Sequence, residues 1–291
     1  MEMFESTFQL ADVKIKVKTN SANFYRQLHD AYRHTEIKDN APSEFNFFID
    51  CSSIDERGKP VYKIVSGDHG LIFSGRNFSE IFPVFEWYFY DYAASKLDNF
   101  IQIHAGSVST GETGILFPAS KNSGKTSLIT GLLFQGYRYL TEDIALIDPE
   151  SLKIIPFPRV IWLTESHLNL FNSEFNFVCK KGYDLIFREA PLWFVNPLEI
   201  NGTDIGDPIN VGYIIFLEYN PSKNTEIKSI SKTEALKLLI KHSSGNPVQG
   251  KLSTSKLIDV LSDIVALSKC YFLNLSNLRY GVKAVNELFN L

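Results

Sequence analysis

The sequence predicts a mixed α/β fold, and three observations predict it. Short runs rich in Val, Ile, Phe and Tyr recur along the whole chain. Between them lie longer segments with apolar residues at helical spacing. Gly, Asp, Asn and Ser punctuate the junctions. Val13 to Val17 alternates apolar and basic residues, which suits a half-exposed strand. Asn20 and Ser21 offer N-caps for a helix through about Arg33. Phe45 to Ile49, Val61 to Val65 and Leu71 to Phe73 read as three further strands. From Ser79 to Leu97, Ile81, Phe85, Tyr88, Phe89 and Tyr92 recur at helical spacing. Ser79 is the expected cap, and Pro83 is close enough to the start to be tolerated. The simplest place for these aromatics is a helix face packed on the sheet.

A change in pattern near Asp98 marks a soft boundary. Residues 1–98 are expected to form an N-terminal α/β lobe with a substrate or interaction role, and 99–291 a second, larger domain. In the latter, Phe100 to Val108 and Gly114 to Phe117 read as strands and Ser127 to Phe134 as a helix. Val211 to Leu217 is a strongly apolar strand. Thr233 to Lys241 and Lys256 to Leu267 read as helices, Cys270 to Leu275 as a strand, and Val282 to Leu288 as a closing helix. No internal repeat or low-complexity tract interrupts the series.

Composition narrows the function classes. The chain has 291 residues, 44% of them hydrophobic, enough for one large domain or two at a rough scale of ~150 residues each. A net charge of -4 argues against a general nucleic-acid binder, which carries a basic excess, but leaves room for a local anion pocket. Cys51, Cys179 and Cys270 are far apart, lack metal-ligand spacing and read as free thiols in a reducing compartment. The N-terminus has neither the basic nor the apolar region of a secretory signal, and no apolar run reaches the ~18–20 residues of a membrane span. The expectation is a soluble cytoplasmic protein with neither a membrane nor a nucleic-acid partner.

One motif carries chemistry. Ile115-Leu116-Phe117-Pro118 leads into Ala119-Ser120-Lys121-Asn122-Ser123-Gly124-Lys125-Thr126, a G-x-x-x-x-G-K-[ST] phosphate loop with Ala in place of the first Gly. A strand precedes it and a helix beginning at Ser127 follows, which is the context the motif requires. Backbone N–H groups of such a loop and of the helix N-terminus converge on one anion. Gly124 lets the backbone come close, Lys125 reaches the β- and γ-phosphates, and the Thr126 hydroxyl ligates magnesium. Lys121 either adds positive charge or is a solvent-exposed lysine. Ala119 costs little if its φ is negative and stores strain of roughly 1–3 kcal/mol if it is not. The expected ligands are ATP and Mg2+.

Phosphoryl transfer also needs a metal carboxylate and a group that orients the attacking hydroxyl. Glu142 and Asp143 follow a short apolar segment, where a strand of an open sheet would end beside the phosphates. They read either as a pair dividing that work or as a solvated turn. His104 alternates with apolar neighbours and reads either as a structural strand histidine or as a site residue. Arg159, set by Pro156 and Pro158 on an extended path, meets a phosphate or faces solvent.

His104-Ala105-Gly106-Ser107-Val108, Gly114-Ile115-Leu116-Phe117-Pro118, the phosphate loop, Gly136 to Asp143 and Pro156-Phe157-Pro158-Arg159 together resemble the HPr kinase/phosphorylase-like family. This is the serine-kinase branch of the phosphoenolpyruvate carboxykinase-like P-loop fold. The clear resemblance spans about residues 100 to 160. It implies a P-loop kinase core with a smaller N-terminal lobe, and transfer from ATP and magnesium to a serine hydroxyl. It implies phosphate and metal roles for Lys125 and Thr126, magnesium ligation by Asp143, a base role for Glu142, and a place beside that base for His104. Family members are often oligomeric. Three departures stand out. Ala119 replaces a loop Gly, Lys121 and Asn122 replace the usual Ser-Gly, and Glu142 replaces Asp. The last moves a carboxylate by one methylene, and a shift of ~1 Å can cost roughly 10²-fold in rate; the pair can also exchange duties. The phosphorylase signature of the two-way members has no counterpart here.

The expected function is therefore a kinase acting on a peptide, a protein or a small hydroxylated molecule. The loop departures motivate a second reading, a nucleotide-binding regulatory or scaffold protein. A carboxykinase-like enzyme would need a second metal site and a substrate-binding arginine pair, neither of which the sequence offers. The stretch from Lys180 to Asn196, with Lys180, Lys181 and Arg188, reads either as a substrate or nucleotide wall or as a solvated turn before a core strand.

Overall fold

The computed structural model describes residues 2–38, 46–179, 183–200, 202–243 and 253–289. Lys180 and Lys181 of the suggested wall, and Phe45 at the expected start of a strand, lie outside them. The fold is mixed α/β with mixed sheets. Contacts divide the chain into two compact units. The first is Met1–Leu97 with Trp162–Asn169 and Val178–Asn196. The second is Asp98–Ile161, Leu170–Phe177 and Pro197–Leu291. A single cut near residue 98 thus describes the chain order but not the contacts, because two later segments return to the first unit.

The first unit begins with β1 (Phe4–Leu10), β2 (Val13–Thr19), α1 (Ala22–Tyr32), β3 (Glu36–Ile37), β4 (Phe47–Ile54), β5 (Pro60–Ser66), β6 (Gly70–Gly75) and α2 (Phe78–Lys96). The strands form one sheet in the order β3-β1-β2-β4-β5-β6. Strand β1 has no clear apolar alternation because Ser6 and Thr7 are buried polar residues within it; Ser6 donates to Glu36. The Ser21 side chain caps α1 by accepting the Phe24 N–H at 3.2 Å. The α2 cap differs from expectation. Asn77, held extended at φ -106, accepts the Ser79 N–H, so Ser79 lies inside the helix. Ile81, Phe85 and Phe89 are fully buried. Phe85 meets Phe24 and Phe47 edge-on with ring centroids 5.1 and 5.6 Å apart, so these aromatics are core.

The second unit starts with β7 (Ile101–Ser109), β8 (Gly114–Pro118), α3 (Lys125–Leu133), β9 (Arg138–Thr141), β10 (Ile144–Ile147) and β11 (Lys153–Ile155). The chain then passes through β12 (Ile161–Leu163), α4 (Glu165–Phe175), β13 (Leu185–Phe187) and β14 (Ala190–Val195), most of which belong to the first unit and whose strands make a separate sheet ordered β12-β14-β13. The chain ends with β15 (Ile209–Tyr219), β16 (Glu226–Ser229), α5 (Lys232–Ser243), α6 (Thr254–Leu267), β17 (Lys269–Leu275) and α7 (Leu278–Glu287).

The large sheet of this unit runs β11-β10-β7-β8-β15-β17-β16, with β9 also paired to β7. Strands β8, β15 and β17 are parallel, so their carboxyl ends lie together. Helices α5 and α6 cover one face through Ala235, Leu239, Leu261 and Ile264, against Ile103, Leu116, Ile214 and Phe216. Helices α3 and α7 cover the other. A Cβ on Gly281 of α7 would lie 2.3 Å from Leu275 Cδ1, and one on Gly106 of β7 would lie 2.9 Å from Ile129 of α3, so both approaches are too close for a side chain. Among the described residues no helix is long and apolar enough to cross a membrane. Cys51 and Cys270 are free thiols.

Candidate functional site

Strand β8 ends at Pro118 and α3 begins at Lys125, so residues 119–124 form the loop between them. The Ala119 N–H donates to the His104 carbonyl at 3.4 Å, and Ala119 is 1% exposed. Its φ is not positive. The left-handed angles fall instead on Asn122 (φ 64) and Gly124 (φ 86). Asn is among the few side chains that enter that region readily, and Gly enters it freely. Ala119 is therefore accommodated without the strain that a left-handed angle would impose. Positive φ at alternate positions is the pattern that turns successive N–H groups toward one centre. Gly124 caps α3 without a side-chain hydrogen bond, so no side chain of its own competes for the first-turn amides. The buried Ser123 Oγ has no hydrogen-bond partner among the described residues. Ser120, Lys121 and Asn122 are exposed on the loop, and Thr126 and Ser127 are half-buried in the first turn of α3.

The acidic pair reaches the loop because β7 has two partners on one side. Ile101 to His104 pairs with β10, and Ser107 to Ser109 pairs with β9. Glu142 and Asp143 form the corner between those partners, and the Ala105 N–H donates to the Asp143 carbonyl at 3.1 Å. Buried Lys125 places Nζ 2.9 Å from His104 Nε2 and 3.4 Å from Asp143 Oδ1. His104 Nε2 is also 3.1 Å from Asp143 Oδ1. Protonated there, the ring donates to Asp143; unprotonated, it accepts from Lys125. Arg159 Nη1 lies 3.3 Å from Asp143 Oδ2. The Phe157 N–H bonded to the Leu140 carbonyl, and the Tyr139 hydroxyl bonded to the Arg159 carbonyl at 3.0 Å, fix its segment. The Thr126 hydroxyl donates to the Glu142 carboxylate. The structure thus gathers His104, Lys125, Thr126, Glu142, Asp143 and Arg159 into one network.

Two adjacent carboxylates are pushed apart in acidity. Burial, then the charge of Asp143, raises Glu142, against the pull of Lys125, Thr126 and Arg159. Burial also works to raise Asp143, but the His104 hydrogen bond and the charges of Lys125 and Arg159 outweigh it and hold its carboxyl well below the usual range. Opposed shifts in a neighbouring pair are the pattern by which one carboxylate stays charged while the other can exchange a proton.

One neighbour has no sequence signal. His242, in the last turn of α5, is brought to this end of the sheet by tertiary packing, with its ring centroid 6.4 Å from that of Phe216. Burial first, then the charges of His104, Lys241 and Lys125, lowers its pKa to about 4. Arg188 occupies an exposed turn between β13 and β14 at φ 50. Among the described residues no three His, Cys, Asp or Glu side chains form a ready metal cage. Magnesium does not require one, since it is commonly held by one or two protein oxygens together with substrate phosphates. The hydroxyl of Thr126 and the two carboxylates are hard oxygen donors of that kind. A scan against protein-family models finds no match, and a search of the curated proteins finds none.

Proposed function

We propose that this chain is an ATP- and magnesium-dependent kinase of the HPr-kinase-like branch of the phosphoenolpyruvate carboxykinase-like P-loop fold. Its acceptor is a serine or other hydroxyl of a peptide, a protein or a small molecule. The observation that carries the reading is Lys125. A lysine at the start of a P-loop helix is buried against a histidine and a carboxylate at 2.9 and 3.4 Å, at a helix N-terminus whose Gly124 cap makes no side-chain hydrogen bond. A generic structural loop has no use for that grouping.

Bound MgATP would supply the phosphoryl group to be transferred and the divalent charge that offsets its negative charge. The loop amides and Lys125 would hold the phosphates, with Arg159 as a second positive charge. Thr126 and Asp143 would hold the metal, because Asp143 keeps its charge. Glu142, raised by burial, would accept the acceptor hydroxyl's proton at its carboxylate, while His104 positions Asp143 and Lys125.

The test is phosphate transfer from labelled ATP to candidate acceptors. Lys125→Ala should lose activity on the order of 10³-fold. Glu142→Gln should lower the rate and leave ATP affinity largely intact, whereas Asp143→Asn should weaken the magnesium dependence. The wild-type rate should rise with pH through a pKa above the ordinary glutamate value, and Glu142→Gln should abolish that limb. Full activity of Lys125→Ala would sink the assignment. A second reading, a nucleotide-binding regulator, is favoured by one feature: Asp143 is already engaged by His104, Lys125 and Arg159. ATP binding without transfer to any acceptor, and no effect of Glu142→Gln, would select it.

A further inference from the structure

The two flanks of the phosphate loop differ in kind. On the β7 and β10 side stand the charged groups: His104, Lys125, Asp143 and Arg159 within 3.4 Å of their partners. On the β15 and β17 side the side chains nearest Gly124 are uncharged. A Cβ built on Gly124 would lie 2.9 Å from Leu275 Cδ2 and 3.8 Å from Tyr219 Cβ. Strand register explains why Tyr219 is there. Ile214 of β15 pairs beside Leu116 of β8, so the end of β8 at Pro118 falls level with Phe216. Strand β15 then continues to Tyr219, rising about 10 Å alongside the loop at the usual advance per strand residue.

Tyr219 is 49% exposed, although it ends an eleven-residue strand with a run of buried residues from Ile214 to Leu217. Its position is nevertheless fixed. Tyr219 pairs with Leu275, and the Asn220 N–H donates to the Leu275 carbonyl at 2.8 Å. The next turn is closed by the Asn220 side chain, which accepts the Ser222 N–H at 3.1 Å. A large aromatic ring left half in solvent on a rigid strand end, beside a phosphate loop, costs apolar exposure that a stacked ligand would relieve.

We propose that Tyr219 is the platform on which the base of a nucleoside triphosphate stacks. The inference rests on the nucleotide reading above and adds a direction to it. The most highly charged end of a polyphosphate is drawn toward Lys125 and Arg159, so the uncharged nucleoside leaves by the opposite flank, over Gly124 and onto the Tyr219 ring. Stacking uses the face every base shares, so this flank separates nucleotides from bare polyphosphates.

The test compares Mg·ATP with Mg·tripolyphosphate in equilibrium titrations. Tyr219→Ala should weaken ATP binding about tenfold or more and leave tripolyphosphate binding unchanged. Tyr219→Phe should keep ATP affinity, because the ring and not the hydroxyl is used. In Tyr219→Trp, ATP should alter the indole emission and tripolyphosphate should not. Equal weakening of both ligands in Tyr219→Ala would make the residue merely structural, and unchanged ATP affinity would likewise overturn the platform. Either result leaves the phosphate loop standing. Wild-type protein that binds neither ligand would overturn the nucleotide reading itself.

Discussion

Gly124 and Ala119 bracket the loop between β8 and α3 and obey different constraints. Gly124 combines φ 86 with a would-be Cβ only 2.9 Å from Leu275 Cδ2, so both angle and space exclude a side chain. The left-handed angle alone costs about 1–2 kcal/mol for an L-residue. Gly124→Ala should therefore lower the thermal unfolding midpoint by several degrees and weaken Mg·tripolyphosphate binding at least tenfold. Ala119→Gly should leave that affinity unchanged, because Ala119 is not left-handed. It should cost only about 0.5–1 kcal/mol of stability through added freedom in the unfolded chain. Titration and thermal unfolding of the two variants check the contrast; loss of binding in Ala119→Gly would show that the methyl group shapes the loop.

Elements are tied together at Glu86, on the buried face of α2. This carboxylate is wholly inaccessible and accepts from the Tyr32 hydroxyl of α1 at 2.7 Å and from the Trp162 indole of β12 at 2.8 Å. One side chain thus joins two helices and a strand from a distant part of the sequence. Glu86→Leu would take this acceptor from the buried Tyr32 hydroxyl, at about 1–3 kcal/mol, and from the half-buried Trp162 indole at a smaller cost. Urea unfolding should show a loss on the order of 3 kcal/mol, smaller for Glu86→Gln, which keeps one acceptor oxygen. Adding Tyr32→Phe to Glu86→Leu should recover part of the loss, since it removes one orphaned donor. A loss below about 0.5 kcal/mol in Glu86→Leu would mean that the tie contributes little.

Across the whole molecule, acid should destabilise in two windows. His34 is lowered to about 4, by burial and then by Arg33, and His242 also to about 4. In each, the folded state binds the proton less tightly than the unfolded chain. Their stabilising effect is complete above about 6.5 and is lost as pH falls toward about 4. Glu142 works in the opposite sense, because its raised pKa favours the folded state at low pH. Asp50 and Asp143 are lowered, so their contributions fade only below the ordinary carboxylate value. Thermal midpoints should therefore fall between pH 6.5 and 4, and the His34→Gln, His242→Gln double variant should show a shallower decline. Equal slopes in the two proteins would show that other groups govern this window.

The candidate site was partly legible in advance. Reading along the chain marks the loop as a candidate phosphate cradle, because Ala119 to Thr126 are consecutive and the strand and helix around them announce themselves by local periodicity. It also marked Glu142, Asp143, His104 and Arg159, though each kept a second, merely structural reading. Folding brought those four to Lys125 and Thr126: His104 and the acidic pair through the double pairing of β7 with β9 and β10, and Arg159 through the Phe157 and Tyr139 hydrogen bonds. It likewise placed His242 within electrostatic reach of His104 and Lys125 and Tyr219 beside Gly124, moved the α2 cap to Asn77, and returned Trp162 to Glu86. The physical reason is the range of the forces involved. Loop chemistry and helix periodicity act over a few residues and are written in order along the chain, whereas strand register and burial join residues far apart in sequence, and no short stretch encodes which of them will meet.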